Sequence, residues 1–334
     1  MRTKKAMLLG VILLLMFLLG ACAAPAPTPA PAPTPIPTPA PVPPVGTFPD
    51  ENLEAVIREA LGKTAGEEIT AAELAGLTKL HAIMWGITDL SGIEYCTNLS
   101  RIDLKGNQIS DLSPLASLSN LVELNLERTQ ISDLSPLASL TNLTSLDLRQ
   151  NQVSDISPLA SLTNLTWLSL RRNQVSGISP LASLTNLTWL NLSVNQISDL
   201  TPLASLTNLT GLDLQRNQIS DLSPLASLTN LIGLDLSINQ ISDISPLASL
   251  TNLVELNLQS NQISDLSPLV SLTKLSRLYL IGNQISDLSP LVENSGLGEG
   301  NMLWLENNNL DLSEGSEDLE NISQLEGRGV VVHY

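Results

Sequence analysis

The side chains best equipped for recognition chemistry in this 334-residue chain are tryptophan, arginine and aspartate, and they recur at a fixed spacing. Trp167 and Trp189 lie 22 residues apart, with Arg149, Arg171 and Arg172 beside them. Trp and Arg are the residues enriched at binding hot spots, so these positions read as a ligand-contact patch. The alternative is a self-satisfied surface cluster held by cation–π contact, with Asp147 neutralising Arg149. Tyr279 and Trp304 make a weaker second patch, in which Trp304 is expected to serve as packing for the C-terminal cap. Asp89, Asp111, Asp133, Asp155, Asp199, Asp221, Asp243, Asp265 and Asp287 recur in the same way, with Gly177 as a gap. Carboxylates at such places accept N–H bonds from the turn that follows. The sharper possibility is weak divalent-cation binding between neighbours.

Catalytic chemistry finds little support. His81 and His333 stand at opposite ends of the chain. No phosphate loop, nucleophile triad or paired acid set is visible. Cys96 occupies a place where the other copies have Leu, and so reads as a buried structural thiol rather than a nucleophile. We therefore expect no enzyme, no cofactor and no metal centre.

What positions the tryptophans is a repeat. Leu-x-x-Leu-x-Leu-x-x-Asn-Gln-Ile-Ser-Asp-Leu-Ser-Pro-Leu-Ala-Ser-Leu-Thr-Asn recurs every 22 residues from Leu99, Leu121, Leu143, Leu165, Leu187, Leu209, Leu231, Leu253 and Leu275. A degenerate copy begins at Leu77 and a broken one lies around Gly300. A fixed period with this pattern is a leucine-rich-repeat solenoid. The expected fold is an α/β horseshoe, with a parallel sheet on the concave face and short 3₁₀ or helical turns on the convex face. Counting from the first Leu of each copy, positions 4 to 8 read as a strand, with positions 4 and 6 inward and 3, 5, 7 and 8 outward. The Asn at position 9 would turn inward and supply donors and acceptors for the bending backbone. Thr129 interrupts that ladder and can satisfy fewer groups. Ser-Pro opens the return segment, Pro suiting a first helical position because it lacks an N–H. Positions 9 to 22 scarcely change between copies, whereas 3, 5, 7 and 8 change in nearly every one, as a binding surface on a fixed frame would.

The net charge of −17 disfavours nucleic acid and anionic surfaces and favours a soluble monomer. Residues 1–21 carry Arg and Lys before an apolar run from Ala6 to Leu19, the layout of a secretory signal peptide. The run ends Leu19-Gly20-Ala21-Cys22, which resembles the bacterial lipobox. That resemblance implies lipidation of Cys22 and anchoring to a membrane of the bacterial envelope. Ala23, where Asp would signal inner-membrane retention, mildly favours the outer membrane if there is one. Residues 22–47 continue as a Pro-rich linker, about 3.1 Å per residue when extended and so a stalk of roughly 60 Å. Docking of a proline-binding domain there is a lesser possibility.

Residues 48–76 read as a helical N-terminal cap. Leu53, Val56, Ile57, Ala60 and Leu61 have helical spacing, and Thr70 with Glu73 forms a capping box. Residues 77–296 hold the repeats. Residues 297–334 form a C-terminal capping unit, with a helix through Leu319, Ile322 and Leu325 and a last strand at Val330-Val331-Val332. A helical cap followed by 22-residue Asn-Gln-Ile-Ser-Asp-Leu-Ser-Pro-Leu repeats resembles the internalin family of bacterial surface proteins, over about residues 48–296. The resemblance implies a curved solenoid whose concave face binds a protein. This chain has no immunoglobulin-like module after the repeats and no wall-sorting motif, so the family's receptor specificity does not transfer. The expected function is a membrane-anchored surface module that binds another protein. A structural envelope spacer, or glycan binding through the Trp pair, is the alternative.

Overall fold

The computed structural model describes residues 47–334. The signal segment, Cys22 and the proline-rich linker up to residue 46 lie outside the described residues. Two helices come first, α1 (Glu51–Leu61) and α2 (Ala71–Gly76). Twelve three-residue strands then form one parallel sheet in sequence order. They are β1 (Lys79–His81), β2 (Arg101–Asp103), β3 (Glu123–Asn125), β4 (Ser145–Asp147), β5 (Trp167–Ser169) and β6 (Trp189–Asn191). After them come β7 (Gly211–Asp213), β8 (Gly233–Asp235), β9 (Glu255–Asn257), β10 (Arg277–Tyr279), β11 (Met302–Trp304) and β12 (Val331–His333). Short 3₁₀ turns such as Ser157–Ser161 return the chain between strands, with Pro in the first turn in every one but Ile93–Tyr95. Two helices, α3 (Ser289–Glu293) and α4 (Glu317–Gly327), flank β11.

Within each coil the expected apolar positions are buried. In the coil from Leu165, the side chains of Leu165, Leu168, Leu170, Val175, Ile178, Leu181 and Leu184 all sit in one continuous core. The strand is shorter and starts earlier than its sequence suggests, at positions 3 to 5 rather than 4 to 8. The reason is local. The position-5 carboxylate or amide accepts the N–H of position 7, as Asp147 does from Arg149 at 3.1 Å and Asn191 from Ser193 at 2.9 Å. Position 8 is left-handed with or without that bond, with φ between 54° and 60° at Arg128, Gln150, Arg172, Val194, Arg216, Ile238 and Ser260. A strand cannot continue through that conformation.

The asparagine ladder turns inward as expected. Asn195 Nδ2 donates to the carbonyls of Leu170 and Leu192, each at 2.9 Å, and its Oδ1 accepts the N–H of Val175 at 3.0 Å. Each amide thus ties its own coil to the one before it. At the break, Thr129 Oγ1 donates to Leu126 O at 2.7 Å, but among the described residues no acceptor reaches back to the Ile109 N–H. The backbone N–H of Ile131, by contrast, has Asn151 Oδ1 at 3.0 Å. Other ladders reinforce the return side. Ser161 Oγ donates to Ala138 O at 2.7 Å and Asn164 Nδ2 to Thr141 O at 2.9 Å, and the same bonds recur in neighbouring coils. The recurrence of Ser and Asn at positions 19 and 22, interrupted at Lys274, Glu293 and Gly296, is their signature in the sequence.

Both ends are closed. Asp50 caps α1 through the N–H groups of Asn52 and Leu53, and its other oxygen accepts from Thr88 N at 2.7 Å. One carboxylate therefore fastens the helix to the first coil. Thr70 and Glu73 form the capping box of α2. At the far end, the fully buried Asn294 donates to Leu269 O, and Gly296 lies so close to the Thr273 carbonyl that a Cβ would sit 1.9 Å from its oxygen. Only glycine fits there, where extra residues enter the repeat.

Replacing Thr129 with Asn restores an acceptor for the buried Ile109 N–H. An unsatisfied buried donor costs about 1–3 kcal/mol. Thr129→Asn should therefore stabilise the solenoid by about 1–2 kcal/mol in urea denaturation. Unchanged or lowered stability would show that the gap is filled in some other way.

Candidate functional site

The strands bring Trp167 and Trp189 into direct register on β5 and β6. Their rings stack with centroids 4.7 Å apart and planes 5° from parallel. Both are half-buried. Beneath them Ser169 is fully covered, and its Oγ has no partner. Trp189 presents its second face to the next strand. A Cβ on Gly211 would come within 2.7 Å of Trp189 Cδ1, so glycine at this place lets the indole lie over the β7 backbone.

The arginines divide. Arg149 is engaged by two acids, Asp147 at 2.5 Å and Glu127 at 2.8 Å, and Glu127 also meets Lys105 at 2.9 Å. Hydrogen bonds donated to Asp147 raise its already high pKa, opposed by burial. Among the described residues Arg171 and Arg172 find neither a side-chain hydrogen bond nor an ion pair, and they line a shallow hollow with Glu127, Arg149 and Gln150. Arg172 holds a left-handed backbone at φ 57°. Val194 and Ile238 do the same in later coils, a conformation that β-branched residues rarely adopt.

The second aromatic group is larger than the sequence reading allowed. Tyr279 stacks on Trp304 at 4.2 Å, and Trp304 stacks on His333 at 5.4 Å. Trp304 is therefore a member of the strand face and not packing beneath the cap, because β11 pairs in register with β10 and β12. Sequence spacing concealed the trio. The residues are 25 and 29 apart rather than 22, since extra residues enter after α3.

Sequence reasoning also missed two carboxylates. Asp213 and Asp235 face each other in register on β7 and β8. Asn191 Nδ2 donates to Asp213 at 2.7 Å and Asn257 Nδ2 to Asp235 at 3.1 Å. Neither acid has an ion-pair partner among the described residues. Burial and then the neighbouring Asp235 charge push the Asp213 carboxyl above its ordinary value, against the pull of the Gln215 N–H.

The aspartates at position 13 have a structural use. Asp133 Oδ1 accepts the Ser135 N–H at 2.8 Å, and the pattern recurs at Asp111, Asp199 and Asp221. Hydrogen bonds from the Ser135 hydroxyl and N–H lower the Asp133 pKa. Among the described residues no three metal-ligating side chains converge. Cys96 is buried, and desolvation, helped by the Glu94 charge, pushes its thiol up to about 12, far from nucleophilic use.

A carboxyl whose native pKa is raised favours folding while protonated. That advantage disappears as pH rises from the unfolded-state value of 3.8 through the native one. Asp213→Asn should therefore be more stable than wild type at pH 7 and equal to it at pH 3. Asn already fills the same repeat position at Asn125, Asn191 and Asn257, so the frame accepts it. Denaturation midpoints at the two pH values check this, and a less stable variant at pH 7 would contradict it.

Comparison with known proteins places the chain in a family. The model for leucine-rich repeats in two copies matches residues 119–161, 163–205, 185–227, 207–249, 229–269 and 251–293. A second leucine-rich-repeat model matches residues 95–112. Internalin H of Listeria monocytogenes is 46% identical over 64 residues, 19% of this chain and 12% of that protein, so the chain spans a small part of that relative's length. The crystal structure of an internalin (inlF) from Listeria monocytogenes superposes with a TM-score of 0.73 at 39% identity, covering 86% of this chain and 90% of that one. That of an internalin C2 from the same species gives 0.54 at 41% identity, covering 71% of this chain and 94% of that one. The chain belongs to the leucine-rich-repeat proteins and, among them, is an internalin-like bacterial protein.

Proposed function

We propose that this is a membrane-anchored bacterial surface protein whose concave strand face binds another protein. One observation carries the reading. The strand face is where the copies differ, and the differences are not demanded by the frame. At position 5 an Asp or Asn bonds to the N–H of position 7 in seven coils, from Asp103 to Asn257. Ser169, Tyr279 and Trp304 give up that bond. Beside them stand the stacked Trp167 and Trp189, with Arg171 and Arg172 unpaired. Large aromatic and guanidinium groups on a rigid frame, with their edges open to solvent, are what protein-binding centres are made of. A pure spacer has no use for such departures. The internalin-like family supports a role in recognition or adhesion, and the signal segment ending at Cys22 supports export and a lipid anchor.

Two experiments test the proposal. A partner is first captured by crosslinking to the intact protein at the bacterial surface. Trp167→Ala/Trp189→Ala should then weaken it by about 2–4 kcal/mol, the size of a hot-spot loss. Folding should lose no more than the ~0.5–1.5 kcal/mol of one ring pair. Unchanged binding moves the partner to another face. Competition by a simple sugar replaces the protein reading with a glycan one. For the anchor, Cys22→Ser should abolish partitioning into the detergent phase after expression in a bacterium. Wild-type partitioning of that variant would end the lipoprotein reading.

A further inference from the structure

Between the two aromatic groups the strand face sinks into a trough of about 410 Å³, lined by Trp189, Gly211, Asp213, Gly233, Asp235 and Tyr279. Its ends are aromatic. Trp189 is stacked on its Trp167 side, so its other face borders the trough. Tyr279 is stacked on its Trp304 side, and its other face looks back toward β9. Four strand spacings of ~4.8 Å put the two walls roughly 19 Å apart, enough for a short segment of chain.

The floor is open for a reason unrelated to folding. Gly211 accommodates Trp189, but a Cβ on Gly233 would meet nothing within 4 Å, and its φ is not in the left-handed range. Glycine inside a strand weakens it, and where the fold does not ask for it, it marks the close approach of another backbone. The charge is equally unforced. Asn at position 5 makes the same bond to position 7 at Asn125, Asn191 and Asn257, at 2.9 to 3.1 Å. As far as the bond to position 7 goes, Asp213 and Asp235 could both be Asn, yet they are two adjacent carboxylates, each with its second oxygen accepting from the amide of a flanking coil, Asn191 or Asn257. Their neighbour Glu255 is paired with Arg277 at 3.1 Å, whereas they have no such partner. Arg171 attracts Asp213 without forming an ion pair.

We propose that this trough takes a short basic segment of the protein partner, with an Arg or Lys head group bridging Asp213 and Asp235 against the Trp189 face. The inference rests on the reading of the strand face as a docking surface and says what chemistry docks there. A guanidinium would meet two carboxylates in charge-assisted bonds and the ring in a cation–π contact. Gly211 and Gly233 would let the bound backbone lie close to the sheet. Sugar hydroxyls do not account for the pair, since the amides of neighbouring coils would serve them without adjacent like charges.

The probe is a fluorescein-labelled tetra-arginine peptide, with its tetra-citrulline counterpart as the neutral isostere, titrated into the full chain and read by anisotropy. The arginine peptide should bind and the citrulline peptide should not. Asp213→Asn/Asp235→Asn should weaken binding at least about ten-fold, as the loss of a charge-assisted contact does. Asp221→Asn/Asp243→Asn removes the same charge from the turns outside the trough and should change it less than about two-fold, since screened distant charges contribute little. Gly233→Val, which fills the trough in open space, should also abolish binding, and it covers the case in which the double variant folds poorly. Equal losses in the two double variants would reduce the effect to the general acidity of the chain and overturn the proposal. So would unchanged binding by Asp213→Asn/Asp235→Asn or by Gly233→Val. A surface partner released by Trp167→Ala/Trp189→Ala but held by Asp213→Asn/Asp235→Asn would sink the basic segment and leave the docking reading standing. A partner held by both variants would sink both.

Discussion

Everything in this solenoid depends on what satisfies the backbone where each coil bends away from the sheet. A buried N–H or C=O without a partner is expensive, and a bend repeated in every coil would repeat that penalty along the molecule. The inward asparagine removes it. One amide reaches two carbonyls and one N–H, and the carbonyls belong to adjacent coils, as at Asn195. The bend is therefore satisfied only in a stack. Cohesion between coils and satisfaction within a coil are the same hydrogen bonds, which is why a fixed period is so visible in the chain.

The same economy of bonds shapes the strand face. An Asp or Asn at position 5 holds the N–H of position 7 in seven coils, next to the left-handed residue at position 8. Because both residue types make that bond, the frame is indifferent to whether the side chain is charged. Recognition can be written there without disturbing the coil. Asn191, Asp213, Asp235 and Asn257 share one structural role and differ in charge. Where Tyr279 and Trp304 stand instead, the bond to position 7 is lost and ring stacking takes its place.

Much of this was legible because a solenoid presents its own controls. Comparison of copies separates the constant leucines, asparagines and serines from the variable face, and the structure buries the leucines and gives the asparagines at position 9 and the serines at position 19 their hydrogen bonds. The pairing of Trp167 with Trp189 followed from spacing alone, since residues 22 apart must be neighbours in a parallel stack. What stayed hidden has physical causes. The end of the strand depended on a left-handed residue at position 8 that hydropathy does not register. The Tyr279–Trp304–His333 stack lay behind an insertion that broke the count. The acid pair was invisible because Asp and Asn are alike as turn-makers. Only the surrounding ion pairs, which occupy Glu127, Arg149 and Glu255 but bypass Asp213 and Asp235, tell the two roles apart.

That contrast gives the face a direction. Over β2 to β4, acids and bases neutralise one another, as Arg101 with Glu123 and Arg149 with Asp147. The Trp pair follows, then two uncompensated carboxylates, then a second ring stack. Each group occupies two or three adjacent strands, and each coil packs on its neighbours, so a change in one leaves the rest of the frame intact. A solenoid built in this way can alter the chemistry it offers at one point along its length without altering its fold. The unpaired charges on β7 and β8 are the place where that freedom has been used against folding rather than for it: the raised carboxyl of Asp213 is resisted by its surroundings and retained all the same. A carboxylate at a position where an amide makes the same bond to position 7 in three other coils is what the proposed basic segment would meet.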